Sequence, residues 1–319
     1  MAVYTDIAFD DLGIMLAEYD IGAPRRFKGI AEGIENSNFL LQTDRATYIL
    51  TLYEKRVSAK DLPFFLELLE HLAAHGIACP LPVRSRNGAQ STTIKGRPAA
   101  LLTFLDGLSL SRPRADHCAA ASTALAALHR AGADFARTRS NNFSLHGWRR
   151  LADAILPRAD RAEKGLAQLI ETNLAAVEEM WPSDLPSGVI HADLFPDNVL
   201  FLHDRISGLI DFYFACHDFL AYDVAVMLNA WCFDSDGSFN RTKSRSVISA
   251  YANARPLTPC ETAALPVLAR GAALRFLLTR LQDWLDRDPR MLARVKDPLE
   301  FANYLRFHAK VVSPAEYGA

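Results

Sequence analysis

Cysteine is scarce in this sequence, and none of it stands in a paired motif. The 319 residues include five cysteines, an odd number, and no two of them form a C-x-x-C pair. Zinc-binding and redox motifs depend on such spacings, so neither kind of site is predicted. Free thiols fit a reducing compartment, and a cytoplasmic protein is expected.

Strong charge and long apolar runs are also missing. The formal net charge is −2, and the Lys and Arg residues are scattered along the chain, unlike the basic stripe of a nucleic-acid-binding protein. Charged residues interrupt the apolar runs before they reach membrane-spanning length, and residues 1–13 lack the apolar core of a secretory signal. We expect neither a nucleic-acid partner nor a membrane.

Core-forming residues are plentiful. About half of the sequence is hydrophobic, at 50%, which suits a soluble globular protein of two domains or lobes. The β-rich runs 38–43 and 47–54 flank the tripeptide DRA and predict a hairpin. A helix is predicted over 61–76, with Asp61 as its cap, and strands are predicted in CPLPVRS and TTIKGRPAALLTFLDG. These elements outline an α+β lobe, an antiparallel sheet plus one helix, over residues 1–105.

The rest of the chain, residues 106–319, is predicted to form a larger and mostly helical lobe. Helical spacing recurs over 116–132, 146–180, 259–286 and 298–310 and in the run AYDVAVMLNAWCF. The β-like runs GVIHADL, NVLFL and ISGLIDF interrupt this pattern. The boundary between the lobes is placed within FLDGLSLSRP, where the strand pattern gives way to helix.

The string HADLFPDN, residues 191–198, carries the most chemistry. Asp193 and Asn198 stand five residues apart in a loop between apolar runs, and Asp211 ends the next apolar strand. Phosphoryl transfer from ATP needs this set: one carboxylate to orient the attacking hydroxyl and accept its proton, and an Asn and a second Asp to hold Mg²⁺. The alternative is a turn whose side chains make local hydrogen bonds, but it leaves Asp211 unexplained.

The histidines are interpreted as structural. His191 directly precedes this loop and is expected to hold it in place rather than to act as a base. His129, at the end of the predicted helix 116–132, is expected to serve packing and hydrogen bonding.

HADLFPDN followed by LIDF resembles the protein-kinase signature H-R-D-L-x-x-x-N followed by D-F-G. With YDVA and LHR, it is closer to the aminoglycoside-phosphotransferase and choline-kinase branch of that fold. GIENSNFLL, YILTLYEKR and RGAALRFLLTRLQDWL resemble the bacterial homoserine kinases of this fold, over residues 1–310. The resemblance implies a two-lobed protein-kinase-like fold, ATP and Mg²⁺ as cofactors, and phosphorylation of L-homoserine in threonine biosynthesis.

One position departs from the pattern that the resemblance implies. A lysine on the third strand usually binds the α- and β-phosphates in this fold, but the corresponding residue here is Thr51. Lys55 or Arg56 at the strand end, or Lys28 on the first strand, is expected to replace it. This substitution is the one sequence feature that favours a non-catalytic nucleotide-binding module.

Further nucleotide contacts are expected around the first hairpin. Gly33, Asn36, Ser37 and Asn38 offer backbone and side-chain donors to phosphate, with a plain hairpin turn as the alternative.

The resemblance places two more groups of residues near the nucleotide. Glu67 or Glu70 on the predicted helix would position the phosphate-binding cation, unless both are solvent-facing charges. The adenine would lie against the hinge at Thr103–Leu105, with ATP between the lobes.

The acceptor site is predicted from charge. A guanidinium matches the homoserine carboxylate, and Arg275 lies within an apolar stretch, AALRFLL. Asp218 and Asp223 would meet the ammonium group. The alternative is an internal salt bridge from Arg275 to one of these aspartates. A kinase of choline, an amino sugar or a thiosugar stays open, with FYF and WCF as aromatic candidates for choline. The sequence leaves monomer or homodimer undecided.

Overall fold

The structure is a computed structural model that describes residues 5, 7–30, 36–54, 57–287 and 295–319. The chain divides into two compact units. The first unit includes Met1–Asp106 and Gly208–Tyr213, and the second contains Gly107–Ser207, Phe214–Asp288 and Val295–Ala319.

The first unit is built on an antiparallel sheet. Its strands lie in the order β1-β2-β3-β5-β4, and every pair is antiparallel. The predicted α+β arrangement with one sheet is therefore confirmed. The elements are α1 (Phe9–Leu16), β1 (Pro24–Gly29), β2 (Asn36–Thr43), β3 (Thr47–Tyr53), α2 (Leu62–Ala74), β4 (Thr92–Ile94) and β5 (Arg97–Thr103).

Turn chemistry explains two features of this sheet. The β4–β5 connection is made by Lys95 and Gly96, both with positive φ, as a two-residue hairpin requires. The segment CPLPVRS was expected to be a strand but makes only one isolated bridge, from Pro82 to Leu102. Pro80 and Pro82 have no N–H to donate, so they cannot maintain a ladder of hydrogen bonds. Helix α1 was not predicted.

The second unit is mostly helical, as expected. The strands form two short antiparallel pairs, β6 with β9 and β7 with β8; β8 continues into the first unit at Gly208. The elements are α3 (Ala115–Ala131), α4 (Leu145–Ala159), α5 (Leu166–Met180), β6 (Ser187–Ile190), β7 (Val199–Leu202), β8 (Arg205–Leu209), β9 (Cys216–Phe219), α6 (Leu220–Trp231), α7 (Arg241–Ala254), α8 (Pro259–Leu285) and α9 (Pro298–His308).

Two helices of this unit differ from the simple pattern. Helix α7 was not predicted separately, because it is polar and buries only a narrow stripe that includes Val247 and Tyr251. Helix α8 begins with a capping box between Thr258 and Glu261. It is long and apolar enough to span a membrane by length and composition alone, but 67% of its most apolar window is buried inside the protein. That is the behaviour of a core helix.

Candidate active site

The polar loop after β6 has a strained backbone. Ala192, between His191 and Asp193, has a φ of +63°, a left-handed conformation that costs a non-glycine residue about 1–2 kcal/mol. A 3-10 turn, Pro196–Asn198, then leads into β7. Such strain persists only where surrounding contacts enforce it, so the contacts of this loop determine where Asp193 lies.

Asp193 is half-buried and lies beside Asn198. The Nδ2 of Asn198 donates to the backbone oxygen of Asp193 at 2.8 Å and to its Oδ2 at 3.3 Å. Burial raises the pKa of Asp193 to about 6, against the opposing effect of the positive charge on Arg275. A carboxylate whose pKa lies this close to neutrality is suited to accept a proton.

Asp223, at the start of α6, binds the backbone of the same loop. Its carboxylate accepts hydrogen bonds from the N–H of His191 at 2.6 Å and from the N–H of Ala192 at 2.7 Å. The side chain is fully buried and also lies 3.1 Å from Nε2 of His129. Both oxygens are thus occupied inside the protein. Sequence reasoning expected Asp223 to meet the acceptor, and the structure corrects this: it is a loop-binding residue.

The two histidines lie in the interior around this loop. His191 is fully buried, and its Nδ1 is 3.3 Å from the backbone nitrogen of Asp193. His129, at the end of α3, bridges Asp223 and the hydroxyl of Tyr251, which is 2.7 Å from its Nδ1. Both histidines therefore contact residues that hold the loop.

Arg275 of α8 is 2% exposed and binds the loop from the other side. Its Nη1 donates to the carbonyl oxygen of Ala192. Neither Asp218 nor Asp223 forms an ion pair with it in the described structure, so the internal salt bridge considered from the sequence is wrong. The guanidinium carbon instead lies 4.4–5.5 Å from the centroids of three aromatic rings, those of Phe143, Phe214 and Phe276. Position and packing make Arg275 a support of the loop.

Asp218 lies on β9, beside the strand that leads into the loop, and it pairs with Gly188 across the two strands. Its side chain is half-buried and accepts from Nδ2 of Asn141 and from the N–H of Phe219, both at 2.7 Å. Burial raises the pKa of Asp218. Within the described residues no Lys or Arg forms an ion pair with this carboxylate, so it can accept a cationic ligand.

Asp211 belongs to the first unit. It follows β8, has a φ of +64° and precedes a 3-10 turn, Phe212–Phe214. Burial and the negative charge of Asp211 both contribute to raising the pKa of Tyr213 to about 12. The backbone of Asp211 is therefore left-handed and strained. The backbone of Ala192, the residue before Asp193, has the same conformation.

The hairpin residues expected at the nucleotide are engaged within the sheet. Thr51 is buried and donates to Oδ1 of Asn38 at 2.8 Å. Ser37 is fully buried and donates to Oε1 of Glu54 at 2.7 Å. Asn36, also buried, pairs with the end of β3. The side chains of Thr51 and Ser37 therefore stabilise the β2–β3 pair, while Gly33 and Lys55 lie outside the described residues.

The two glutamates of α2 differ in their surroundings. Glu70 receives hydrogen bonds from Arg84, the shortest at 2.8 Å, in a partly exposed ion pair. Glu67 is half-buried one turn earlier on the same helix. Glu70 is therefore occupied by a surface arginine, and Glu67 stays the predicted partner of a phosphate-binding cation.

The predicted hinge residues lie at the end of β5. Thr103 Oγ1 accepts from the N–H of Leu81 at 2.9 Å. Leu105 follows the strand and packs closely over Gly208, where a Cβ would come within 2.4 Å of its side chain. Both positions fit a connecting segment with little conformational freedom.

Comparison with known families agrees with this geometry. The model of the phosphotransferase enzyme family matches residues 26–257, which is most of the chain. The chain belongs to the phosphotransferase enzyme family.

Full-length relatives of this phosphotransferase are closely similar to it. The homoserine kinase of Xanthobacter autotrophicus is 60% identical over 318 residues, covering 100% of this chain and 99% of the relative. The homoserine kinase of Rhodospirillum rubrum is 59% identical over 318 residues, with the same coverage. The predicted resemblance is confirmed.

Solved structures share the fold of this phosphotransferase at low sequence identity. An amicoumacin kinase, in complex with AMP-PNP, Ca²⁺ and Ami, aligns with a TM-score of 0.75 at 13% identity, covering 98% of this chain and 97% of that one. A microcompartment-associated aminopropanol kinase aligns with a TM-score of 0.70 at 18% identity, covering 98% and 99%. The predicted protein-kinase-like fold is confirmed.

Sequence reasoning missed three residues of the phosphotransferase site region. Asn141 orients Asp218, Tyr251 binds His129, and Tyr222 is fully buried next to Asp223 on α6. Tyr222 lies inside YDVA, which was noted only for its resemblance. Arg255 follows the end of α7, four residues after Tyr251, and this spacing says nothing of the partner of Tyr251 on α3.

Proposed function

We propose that this protein transfers the γ-phosphate of ATP to the side-chain hydroxyl of L-homoserine, forming O-phospho-L-homoserine for threonine biosynthesis. The observation that carries the chemistry is Asp193, a half-buried carboxylate on a strained loop with a pKa near 6. Full-length relatives named homoserine kinase support the acceptor.

Asp193 acts as the acceptor's base. It orients the hydroxyl and takes its proton while the hydroxyl oxygen bonds to the γ-phosphorus. The bond from that phosphorus to the β,γ-bridging oxygen breaks, and ADP leaves with the electron pair. Asn198 keeps the carboxylate in place, because its Nδ2 donates to both the backbone and the side chain of Asp193.

Asn198 and Asp211 are the proposed ligands of Mg²⁺. Because Nδ2 of Asn198 is directed at Asp193, its carboxamide oxygen is left for a cation, and a carboxylate completes the kind of oxygen set that Mg²⁺ prefers. The ion would neutralise charge on the phosphate oxygens.

Asp218 is the proposed partner of the acceptor's ammonium group. Its two oxygens each accept one hydrogen bond, from Asn141 and from the backbone of Phe219, and no ion pair to Lys or Arg occupies it in the described structure. Ionised Asp218 would gain a charge-assisted hydrogen bond from the ammonium.

One aromatic residue from each of the two segments that kept choline open already has a packing partner. Phe214 of the FYF segment packs against the guanidinium of Arg275. Phe233 of the WCF segment stacks on Tyr304, with ring centroids 3.7 Å apart. A quaternary ammonium would have to displace these partners, so an amino acid is favoured over choline.

We place the enzyme in the cytoplasm. All five cysteines are free, and four of them are buried. Burial raises the pKa of the Cys79 thiol to about 12 and that of Cys118 to about 11. Unreactive thiols fit a reducing compartment.

The test is ADP release from ATP and Mg²⁺ with a panel of acceptors. L-homoserine should give the highest kcat/KM, well above 3-aminopropanol, which lacks the carboxylate, and 4-hydroxybutanoate, which lacks the amine. Asp218→Asn should raise KM for homoserine and leave the poor rate with 4-hydroxybutanoate unchanged. A higher kcat/KM with choline or aminopropanol would overturn the homoserine assignment.

A further inference from the structure

A chain of buried hydrogen bonds runs from α7 to the polar loop after β6, residues 191–198. This loop carries Asp193 and is called the catalytic loop below. The hydroxyl of Tyr251 is 2.7 Å from Nδ1 of His129, and Nε2 of His129 is 3.1 Å from Oδ2 of Asp223. The same carboxylate binds the N–H groups of His191 and Ala192. Tyr251 and Asp223 are fully buried, and His129 is nearly so.

Chemistry fixes the direction of these hydrogen bonds. A carboxylate can only accept, so in the neutral imidazole Nε2 of His129 carries the proton and Nδ1 is the acceptor. The Tyr251 hydroxyl must then donate to Nδ1. Its oxygen accepts from Nη1 of Arg255 at 3.3 Å, and the same nitrogen donates to Oε1 of Glu261 at 2.8 Å. The Tyr251 hydroxyl therefore donates to His129 and accepts from Arg255.

We infer that Tyr251 is a positioning residue for Asp193, acting through His129 and Asp223. Without the tyrosine hydroxyl, Nδ1 of His129 loses its buried donor, and the imidazole ring is held less firmly in the position from which it donates to Asp223. Asp223 would then hold the left-handed Ala192 less firmly, and Asp193 is the next residue. This inference rests on the proposed role of Asp193.

The protein contains its own matched control. Tyr317 is also fully buried, and its hydroxyl lies 2.7 Å from Nδ1 of His308, another buried histidine. Among the described residues, Nε2 of His308 has no hydrogen-bond partner, so this pair does not continue to the catalytic loop. Tyr251→Phe and Tyr317→Phe therefore make the same chemical change at the same hydrogen-bond length.

The experiment compares the two variants well below their unfolding temperatures. Tyr251→Phe should lower kcat roughly 10- to 100-fold, the size of a small misplacement at the reacting centre, with KM for ATP within twofold. Tyr317→Phe should leave kcat within twofold, whatever it does to Tm. Equal kcat values for Tyr251→Phe and the unmodified enzyme, or equal losses in both variants, would overturn the inference.

Two further measurements keep the outcome decisive. Amide exchange of His191 and Ala192 should accelerate in Tyr251→Phe but not in Tyr317→Phe; this readout needs no acceptor, so it separates the inference from the homoserine assignment. In an Ala192→Gly background, where the left-handed backbone carries no strain, Tyr251→Phe should cost less than threefold in kcat. An undiminished loss there, or unchanged amide exchange, would contradict the loop mechanism.

If Tyr251→Phe does not fold, Arg255→Gln tests the outer end of the chain. Arg255 has a side chain 17% exposed, and it donates to the Tyr251 oxygen. The variant should lower kcat by a smaller factor, about threefold to tenfold, with faster exchange at Ala192. No change in either quantity would overturn the inference.

Discussion

The catalytic loop and the β2–β3 hairpin both bury polar side chains, but their partners come from different distances along the chain. In the hairpin, Thr51 bonds Asn38 and Ser37 bonds Glu54, across separations of 13 and 17 residues. In the loop, Ala192 is bound by Asp223 and Arg275, across separations of 31 and 83 residues.

This difference in sequence separation shows which polar contacts form as soon as two strands pair and which ones need the packed helices. Asn38 and Thr51 are opposite one another in the strand register, so pairing the strands brings the side chains together. Asp223 and Arg275 approach Ala192 from two helices that meet it only in the folded unit. Single substitutions should therefore have larger effects at the loop than at the hairpin. At the loop they should lower kcat as well as the free energy of unfolding.

The largest effect is expected at Asp193. Asp193→Ala should lower kcat by about 10²-fold or more, because a positioned base is lost, with little change in KM for ATP. Asp197→Asn is the matched control: Asp197 is exposed and forms a surface ion pair with Lys296 at 3.3 Å. Steady-state kinetics on both variants check this, and near-normal turnover of Asp193→Ala would contradict the assignment.

Acid should inactivate the enzyme through the same carboxylate. Since Asp193 must be ionised to accept a proton and burial raises its pKa to about 6, kcat/KM should be constant above that pH and fall about tenfold per pH unit below it. Arg275→Met removes the charge that lowers this pKa, so the acid limb should move to higher pH. A pH profile with no limb between pH 5 and 7 would count against Asp193 as the base.

Asp223→Asn should be the most destabilising change among the polar residues that bind the loop. The asparagine offers one acceptor oxygen where two backbone N–H groups and His129 now donate. Leaving a buried donor without a partner should lower the free energy of unfolding by on the order of 3 kcal/mol, with a loss of kcat. Denaturant unfolding measures the change in the free energy of unfolding. If Asp223→Asn lowers it by less than the hairpin variant Thr51→Val does, the loop is not the more sensitive region.

Thr51→Val should have a smaller effect. It removes the hydrogen bond to Asn38 and preserves the shape of a buried side chain on a strand that favours β-branched residues. The free energy of unfolding should fall by about 1 kcal/mol, with kcat within twofold. A large rise in KM for ATP would show instead that the hydroxyl itself contacts the nucleotide.

Glu70→Ala should have the smallest effect. Glu70 pairs with Arg84 in a partly exposed ion pair, and such pairs contribute about 0–1 kcal/mol. Stability and KM for ATP should both stay close to those of the unmodified protein, whereas Glu67→Ala should raise KM for ATP. Thermal unfolding and ATP titration of both variants provide the check. A larger rise in KM for ATP in Glu70→Ala than in Glu67→Ala would show that Glu70 is the partner of the phosphate-binding cation.

The amino-acid sequence alone was sufficient for the parts of the molecule that depend on local chemistry. The β-rich runs on either side of the DRA turn predicted β2 and β3, and helical spacing predicted α2, α3 and α8 with nearly correct bounds. The spacing of Asp193, Asn198 and Asp211 predicted phosphoryl transfer, because few other functions require those oxygens in that order.

Tertiary structure decided the roles of the remaining side chains. Sequence reasoning placed Asp223 and Arg275 at the substrate; in the folded unit they bind the N–H and the carbonyl of Ala192. Tyr251 gave no usable signal, because its partner lies 122 residues away on α3. A buried charge or hydroxyl needs a partner, but the sequence does not say which one, since only the packing of helices brings such distant groups within hydrogen-bond distance.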